Sequence, residues 1–459
     1  VTELKTINAA TTGAITLSTA NGALSGNAAD LVLAFAGTVT EHTGTVTITD
    51  APTVAQLKTI NAATTGAITL DVANGALSGT SADLVLAFAG TVTQHTGTVT
   101  IENADYTLAQ LVTINAATNG AITLSTDNTP LSGSSADYAL ALAGTINYDG
   151  AVTISNSDYT VAQLVNINNG TTGAITLNDP STALSGTAAD LVLAFAGTIT
   201  QHTGTVTITD APSLPQLRAI NRATDGAITL GIPGAALTDT AANLAVALAG
   251  TINHSGTVTI TDAPSVTELV TINAGTTGAI TLDVANGALS GTAANLVLAF
   301  DGTVTEHTGT VTITDAPSVT ELKTINAATT GAITLDTANG ALSGSAADLV
   351  LAFAGTVTTH TGTVAITDAP TISQLKTINA ATDGAITLGI PGAALSDTAA
   401  NLALALAGTI NHSGTVEITD APSVTELKAI NAGTSGAITL AVANGALSGT
   451  AANLVLAFD

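Results

Sequence analysis

"SVTELKTINAATTGAITL", residues 318–335, reads as a short helix, a turn and a strand. Ser318 and Glu321 have the spacing of a capping box, in which two side chains satisfy amides left open at a helix start. Ser265 with Glu268, Thr53 with Gln56 and Thr107 with Gln110 repeat it. Val319, Leu322 and Ile325, like Val266, Leu269 and Ile272, are three apart and give the helix one apolar stripe. A turn containing Gly331 follows, then the strand "AITL".

The same stretch returns along the whole chain, and such self-similarity decides the architecture before any local motif does. Copies begin near residues 1, 53, 107, 160, 213, 265, 318, 371 and 423, spaced by 52 to 54 residues. Each has two halves. From Thr53 on the first half is 25 residues long, and the second varies from 27 to 29. A longer period lies over this one, since residues 231–301 nearly duplicate 389–459, an offset of 158. The domain organisation expected is one continuous array over 1–459, a slice of a longer repetitive polypeptide.

The second half repeats the plan. "TAADLVLAFAG" and "TAANLALALAG" read as an Ala/Leu-rich helix, with Thr80 as cap and Asp83 three residues on. A loop ending in Gly44 or its equivalent leads to "TVTITD". The competing reading is a hairpin of "LVLAFAGTVT" with "TVTITD" across "EHTG".

A helix and strand every 25 to 29 residues predict an α/β solenoid with a parallel sheet, leucine-rich-repeat-like in architecture; the alternative is a mostly-β solenoid with short helices. Strands repeat every ~4.8 Å and packed helices need ~8–10 Å, so helices on one face alone impose curvature or twist. In "TVTITD" Val46 and Ile48 point one way and Thr45, Thr47 and Thr49 the other, which favours helices on one face and a Thr-lined surface on the other.

Composition narrows the function classes. Charged residues are 9% of the 459, against about 25% in an ordinary domain. Seven Lys and Arg face 33 Asp and Glu, a net charge of -26, which argues against nucleic acid or an anionic membrane as partner. Cysteine is absent, so there is neither a disulfide nor a thiolate metal site. No segment approaches the ~20 apolar residues of a membrane span. Candidate nucleophiles and acids recur with the repeat instead of breaking it, and an enzyme is not expected.

Three polar positions recur. Asn8, Asn61, Asn115, Asn168, Asn221, Asn273, Asn326, Asn379 and Asn431 fall in the "I-N" position, where an amide can satisfy backbone groups and tie copies together as a ladder. His42, His95, His202, His254, His307, His360 and His412 fall in the loop before "TVTITD", with Tyr148 in the remaining copy. Equivalent positions two strands apart are ~10 Å from each other, too far to share a zinc ion. Loop packing is the default for this row, with contact between chains as the functional alternative. Asp50, Asp210, Asp262, Asp315, Asp368 and Asp420 end the second strand, and Asp71, Asp283 and Asp336 the first. If those strands are neighbours the carboxylates approach each other as a weak calcium site; the plainer reading is capping of strand ends.

At "DAPTVAQLKTINAATTGAITL" (50–70) and "SDTAANLALALAG" (396–408) the chain resembles repeat arrays of giant secreted or cell-surface proteins of marine bacteria, including cyanobacteria. The resemblance implies adhesion, surface coats or extracellular filaments and no catalytic residue. The function expected is an extracellular structural array that associates with copies of itself, or with a cell surface or matrix, with no cofactor. A calcium-stiffened adhesin stalk is the second expectation, and an ice-binding threonine surface a minor third.

Overall fold

The computed structural model describes residues 1–443 and 445–458. They fall into two compact units, Val1–Ile232 and one beginning at Pro233, and each is an α/β repeat solenoid.

One copy shows how the sequence builds the coil. Its first-half helix is Val319–Ala328. Ser318 Oγ accepts from the Glu321 amide at 3.3 Å, and the Ser318 amide donates to Glu321 Oε2 at 2.8 Å. Both arms of the capping box also form at Thr53, Thr107, Thr160, Ser213, Ser265, Thr371 and Ser423. Val319, Leu322 and Ile325 are the buried stripe. Two short strands follow, Ile333–Leu335 and Leu342–Gly344. Next comes the second-half helix, Ala346–Ala352, capped by Ser345 through the Asp348 amide. Gly355 ends that turn at φ 69°, a left-handed conformation that strains any residue with a Cβ. Strand Val364–Ile366 closes the copy.

The second-half segment is therefore helix and not one arm of a hairpin. Ala346, Leu349 and Ala352 bury together at intervals of three, a stripe that a strand would split between its two faces. Two helices per copy also exclude the mostly-β alternative. Within each unit consecutive helices pack against each other, which places them on one face as the threonine alternation implies.

All the paired strands are parallel, in four three-stranded sheets per unit. In one sheet Leu342 registers with Val364 and Val364 with Ile386. Val364 and Ile366 are buried while Thr363 and Thr367 are exposed, so one side of the pleat is core and the other is solvent.

A single unbroken sheet does not form. The coil before Val364 carries two strands, Ile333–Leu335 and Leu342–Gly344, and only the second pairs with Val364–Ile366. The first joins the next coil through one bridge, Ile333 to Val357. Beyond it a side chain replaces the backbone: the Leu335 amide donates to Thr358 Oγ1 at 3.2 Å. That substitution satisfies the amide and ends the ladder. Backbones also touch at a corner, where a Cβ on Gly331 would stand 1.7 Å from the Gly309 carbonyl oxygen.

Candidate functional site

Within each unit the recurring polar residues form a network that joins one coil to the next. The asparagine ladder is real but its rungs run from helix to helix. Asn326 Nδ2 donates its two protons to the carbonyls of Leu351 at 2.8 Å and Ala354 at 2.7 Å, with the Ala352 oxygen 3.3 Å away. They lie at the end of the second-half helix Ala346–Ala352 and just past it, where the helix ladder runs out. Asn8, Asn61, Asn115, Asn168, Asn273, Asn379 and Asn431 reach the equivalent Leu carbonyl. Asn221 is also engaged.

The histidines lie inside. Each imidazole is at most 2% exposed, and Tyr148 is 3% exposed. His360 Nε2 stands 2.7 Å from the Gly340 carbonyl oxygen. A carbonyl only accepts, so Nε2 carries the proton and clasps the loop between the two first-half strands. The other six do the same at 2.6–2.9 Å. Nδ1 faces a threonine of the next coil, Thr382 Oγ1 in this case, at 3.4 Å. Phe353 closes the third side, its ring centroid 6.0 Å from that of His360. Burial pushes His95, His202, His254, His307 and His360 below the ordinary imidazole range, against the partial opposition of the carbonyl each one meets.

The reading of His42, His95, Tyr148, His202, His254, His307, His360 and His412 as contacts between chains is thereby corrected. Both imidazole nitrogens face groups within the coil stack, and the rings are core. Only their loop neighbours, such as Thr359 and Thr361, are exposed.

The second-strand aspartates point at helices. Asp368 Oδ1 accepts from the Ala346 amide at 2.8 Å, the first amide of a second-half helix that began 22 residues earlier. Asp50, Asp210, Asp262, Asp315 and Asp420 accept from Ala28, Ala188, Ala241, Ala293 and Ala399 in the same way. A carboxylate at a helix start meets both open amides and the positive end of the helix dipole. Asp71, Asp283 and Asp336 lie on the neighbouring strand's end and are exposed. Among the described residues no three His, Cys, Asp or Glu side chains gather as a metal-binding group. Asp50 with Asp71, Asp262 with Asp283 and Asp315 with Asp336 end neighbouring strands, whereas the strands beside Asp210, Asp368 and Asp420 end in Gly231, Gly389 and Ala441.

Sequence reasoning missed two things. One was the destination of the aspartates, although a signal existed. Where Asn103 and Asn156 replace the aspartate, the helix starts with Ser81 and Ser135 instead of Ala, and the amide and hydroxyl pair on both sides. The other was an apolar row. Leu33, Leu86, Leu140, Leu193, Leu298, Leu351 and Leu404 are 46–58% exposed on the second-half helices. Leu31 and Leu33 are two residues apart, so a helix cannot bury both, and that spacing was legible.

Two surface clefts occupy equivalent positions, one of them lined by Lys428, Asn431, Ala432 and Leu456. The other, of about 530 Å³, is lined by Lys376, Asn379, Thr382, Asp383, Leu404 and Gly408, all repeat positions. Among the described residues no helix is long and apolar enough to cross a membrane. No protein-family model matches the chain, and no curated protein matches it.

Proposed function

We propose that the chain is an extracellular structural repeat protein that assembles with copies of itself into a filament, coat or matrix, its helix face forming the contact. The observation that carries this reading is the leucine row. Leu33, Leu86, Leu140 and Leu193 stand half exposed at one position of successive copies in the first unit, and Leu298, Leu351 and Leu404 do so in the second. A row of apolar side chains on an otherwise soluble surface marks an interaction site. Within each unit its period is the period of the copies, so the same unit of a second copy of this chain matches its leucines together.

Low charge supports the same reading, because only 9% of residues are charged and few ions need to be desolvated between two such faces. The resemblance to secreted bacterial arrays supports the location. The stalk reading has less support, since Asp50 and its five equivalents already accept from helix amides.

Light scattering and electron microscopy of the purified chain test it. Assembly that is lost when Leu33, Leu86, Leu140 and Leu193 become Ser supports the proposal. A monomer at all concentrations sinks it. An unchanged melting midpoint with added calcium sinks the stalk.

One observation favours a second reading, ice binding. Ser290, Thr312 and Thr334 stand in one outward rank across a sheet. Thermal hysteresis of the purified chain decides it, and its absence removes this reading alone.

A further inference from the structure

We infer that each boundary between one copy and the next is a matched joint of one of two kinds, and that a joint accepts only a coil of its own kind. In the first kind the second-half helix ends in Phe, the following loop is long, and the next first-half helix ends in Ala. Phe35 with Ala63, Phe88 with Ala117, Phe195 with Ala223, Phe300 with Ala328 and Phe353 with Ala381 are of this kind. In the second kind Leu replaces Phe, the loop to the His or Tyr is one residue shorter, and Gly replaces Ala. Leu142 with Gly170, Leu248 with Gly275 and Leu406 with Gly433 follow it, without a mixed pair.

The geometry explains the association. A Cβ on Gly275 would lie 2.3 Å from the Leu248 carbonyl oxygen and 2.7 Å from its Cβ. On Gly433 it would lie 2.2 Å from the Leu406 oxygen and 2.6 Å from its Cβ, and on Gly170 2.5 Å from the Leu142 Cβ. The nearest obstacles are thus backbone or Cβ atoms, which cannot swing aside. In the long-loop kind the Ala carbonyl is a ladder partner: His360 donates its amide to Ala381 at 3.0 Å, and His307 to Ala328 at 3.0 Å. The phenylalanine ring meanwhile fills the space beside the imidazole, with centroids 5.5–6.0 Å apart in the five copies.

The short loop needs a second adjustment. In the long loop Thr358 Oγ1 receives the Leu335 amide; in the short one Asn411 Oδ1 receives the Leu388 amide at 2.6 Å, and Asn147 Oδ1 the Leu124 amide at 2.6 Å. Leu248 and Leu406 lie in the duplicated segments, so they count once. Leu142 lies outside them, in a coil with Tyr148 for His, and follows the same rule.

The joint is consequently an interaction surface whose partner is a coil of matching kind. Near-identical copies invite docking out of register, a characteristic failure of repeat proteins. The rule opposes it unequally. An Ala-ended helix meets a backbone clash on a short-loop coil, whereas a Gly-ended helix on a long-loop coil leaves only a gap of one methyl group. Exclusion of the wrong partner, more than attraction of the right one, sets the order.

A cycle of variants in the full chain tests it, read by amide hydrogen exchange of strands Val258–Ile260 and Ile280–Leu282. Gly275→Ala alone is expected to raise the opening of this joint by roughly 5- to 150-fold, the range of overpacking costs. Replacing residues 248–256 by the sequence of 353–362 converts the coil to the long-loop kind; joined with Gly275→Ala it is expected to restore protection. Ala328→Gly, the reverse mismatch, is expected to fold and to lose only about 5-fold, as for glycine in a helix. Protection unchanged in Gly275→Ala, or effects in the combined variant that simply add, would overturn the inference. If Gly275→Ala fails to fold, folding of the combined variant supports the rule and its failure refutes it.

Discussion

Two stretches with the same backbone plan, Leu342–Leu388 and Leu131–Leu177, solve the same problems with different side chains. Both make a three-stranded parallel sheet, Leu342–Val364–Ile386 in one and Leu131–Val152–Ile175 in the other. In the first, His360 clasps the Gly340 carbonyl. In the second, the Tyr148 hydroxyl shares its one proton between the Thr129 and Ala151 carbonyls, 2.9 and 3.0 Å away. Asp368 meets a helix that begins with Ala346, and Asn156 one that begins with Ser135. Pro370 before the next helix is exchanged for Tyr159, whose hydroxyl reaches the Asp179 carbonyl at 2.8 Å. Stacking of coils dictates what each position must satisfy, and residues change in sets that still satisfy it.

The corner glycines are common to both stretches and should be the least replaceable. Gly384→Ala and Gly173→Ala place a Cβ 1.7 and 2.0 Å from the carbonyl oxygens of Gly362 and Gly150. Each is expected to cost about 3 kcal/mol or more in denaturant unfolding. Near wild-type stability would break the claim that the two backbones are shared. His360→Ala comes next, at about 2–3 kcal/mol, from a lost buried ring and an unpaired Gly340 carbonyl. Tyr148→Phe, which keeps the ring, should cost about 1 kcal/mol, and a larger loss than His360→Ala would reverse the comparison.

Acid and alkali should separate the two kinds of clasp. The folded state holds His95, His202, His254, His307 and His360 below their ordinary range, so the unfolded chain binds protons more readily. Their contribution to stability is full above about pH 6.5 and is lost as pH falls through the folded values. Burial pushes Tyr138 up to about 12 and raises Tyr106, Tyr148 and Tyr159 as well. The unfolded phenols ionise first, so this stretch loses stability as pH rises above about 10. Hydrogen exchange at pH 5.5 and pH 10.5, compared with pH 7.5, should show the His coils opening first in acid and the Tyr coils first in alkali. The smallest effect belongs to Tyr138→Phe. Its hydroxyl lies fully buried beside the Thr153 backbone without completing a hydrogen bond. Removing it should be neutral or stabilising by up to about 1 kcal/mol in a thermal melt, and a loss would show a hidden partner.

What local chemistry determines was readable from the residues: the capping boxes, the apolar stripes, the inward Val and Ile of "TVTITD", and an asparagine placed to serve a helix end. These depend on neighbours three or four positions away, or on the two-residue period of a strand, and the pattern repeats itself as its own control. The destinations of long-range groups were not readable. Asp368 was seen as a strand end because nothing within five residues says that an amide 22 positions earlier will stand above it. The sequence leaves the histidine row between loop packing and contact between chains, because a loop of varying length normally faces solvent. Yet one residue of each loop turns inward while its neighbours remain exposed.

By itself the sequence determined the array, its period and its capped first-half helices, since these follow from spacing within a copy and from the return of that copy along the chain. Tertiary structure decided that the sheet breaks every three strands, that the imidazoles are core, and which helix amide each aspartate meets. The physical reason is that these depend on which coil lies above and which below, and a stack is defined by contacts between residues some 20 to 28 positions apart.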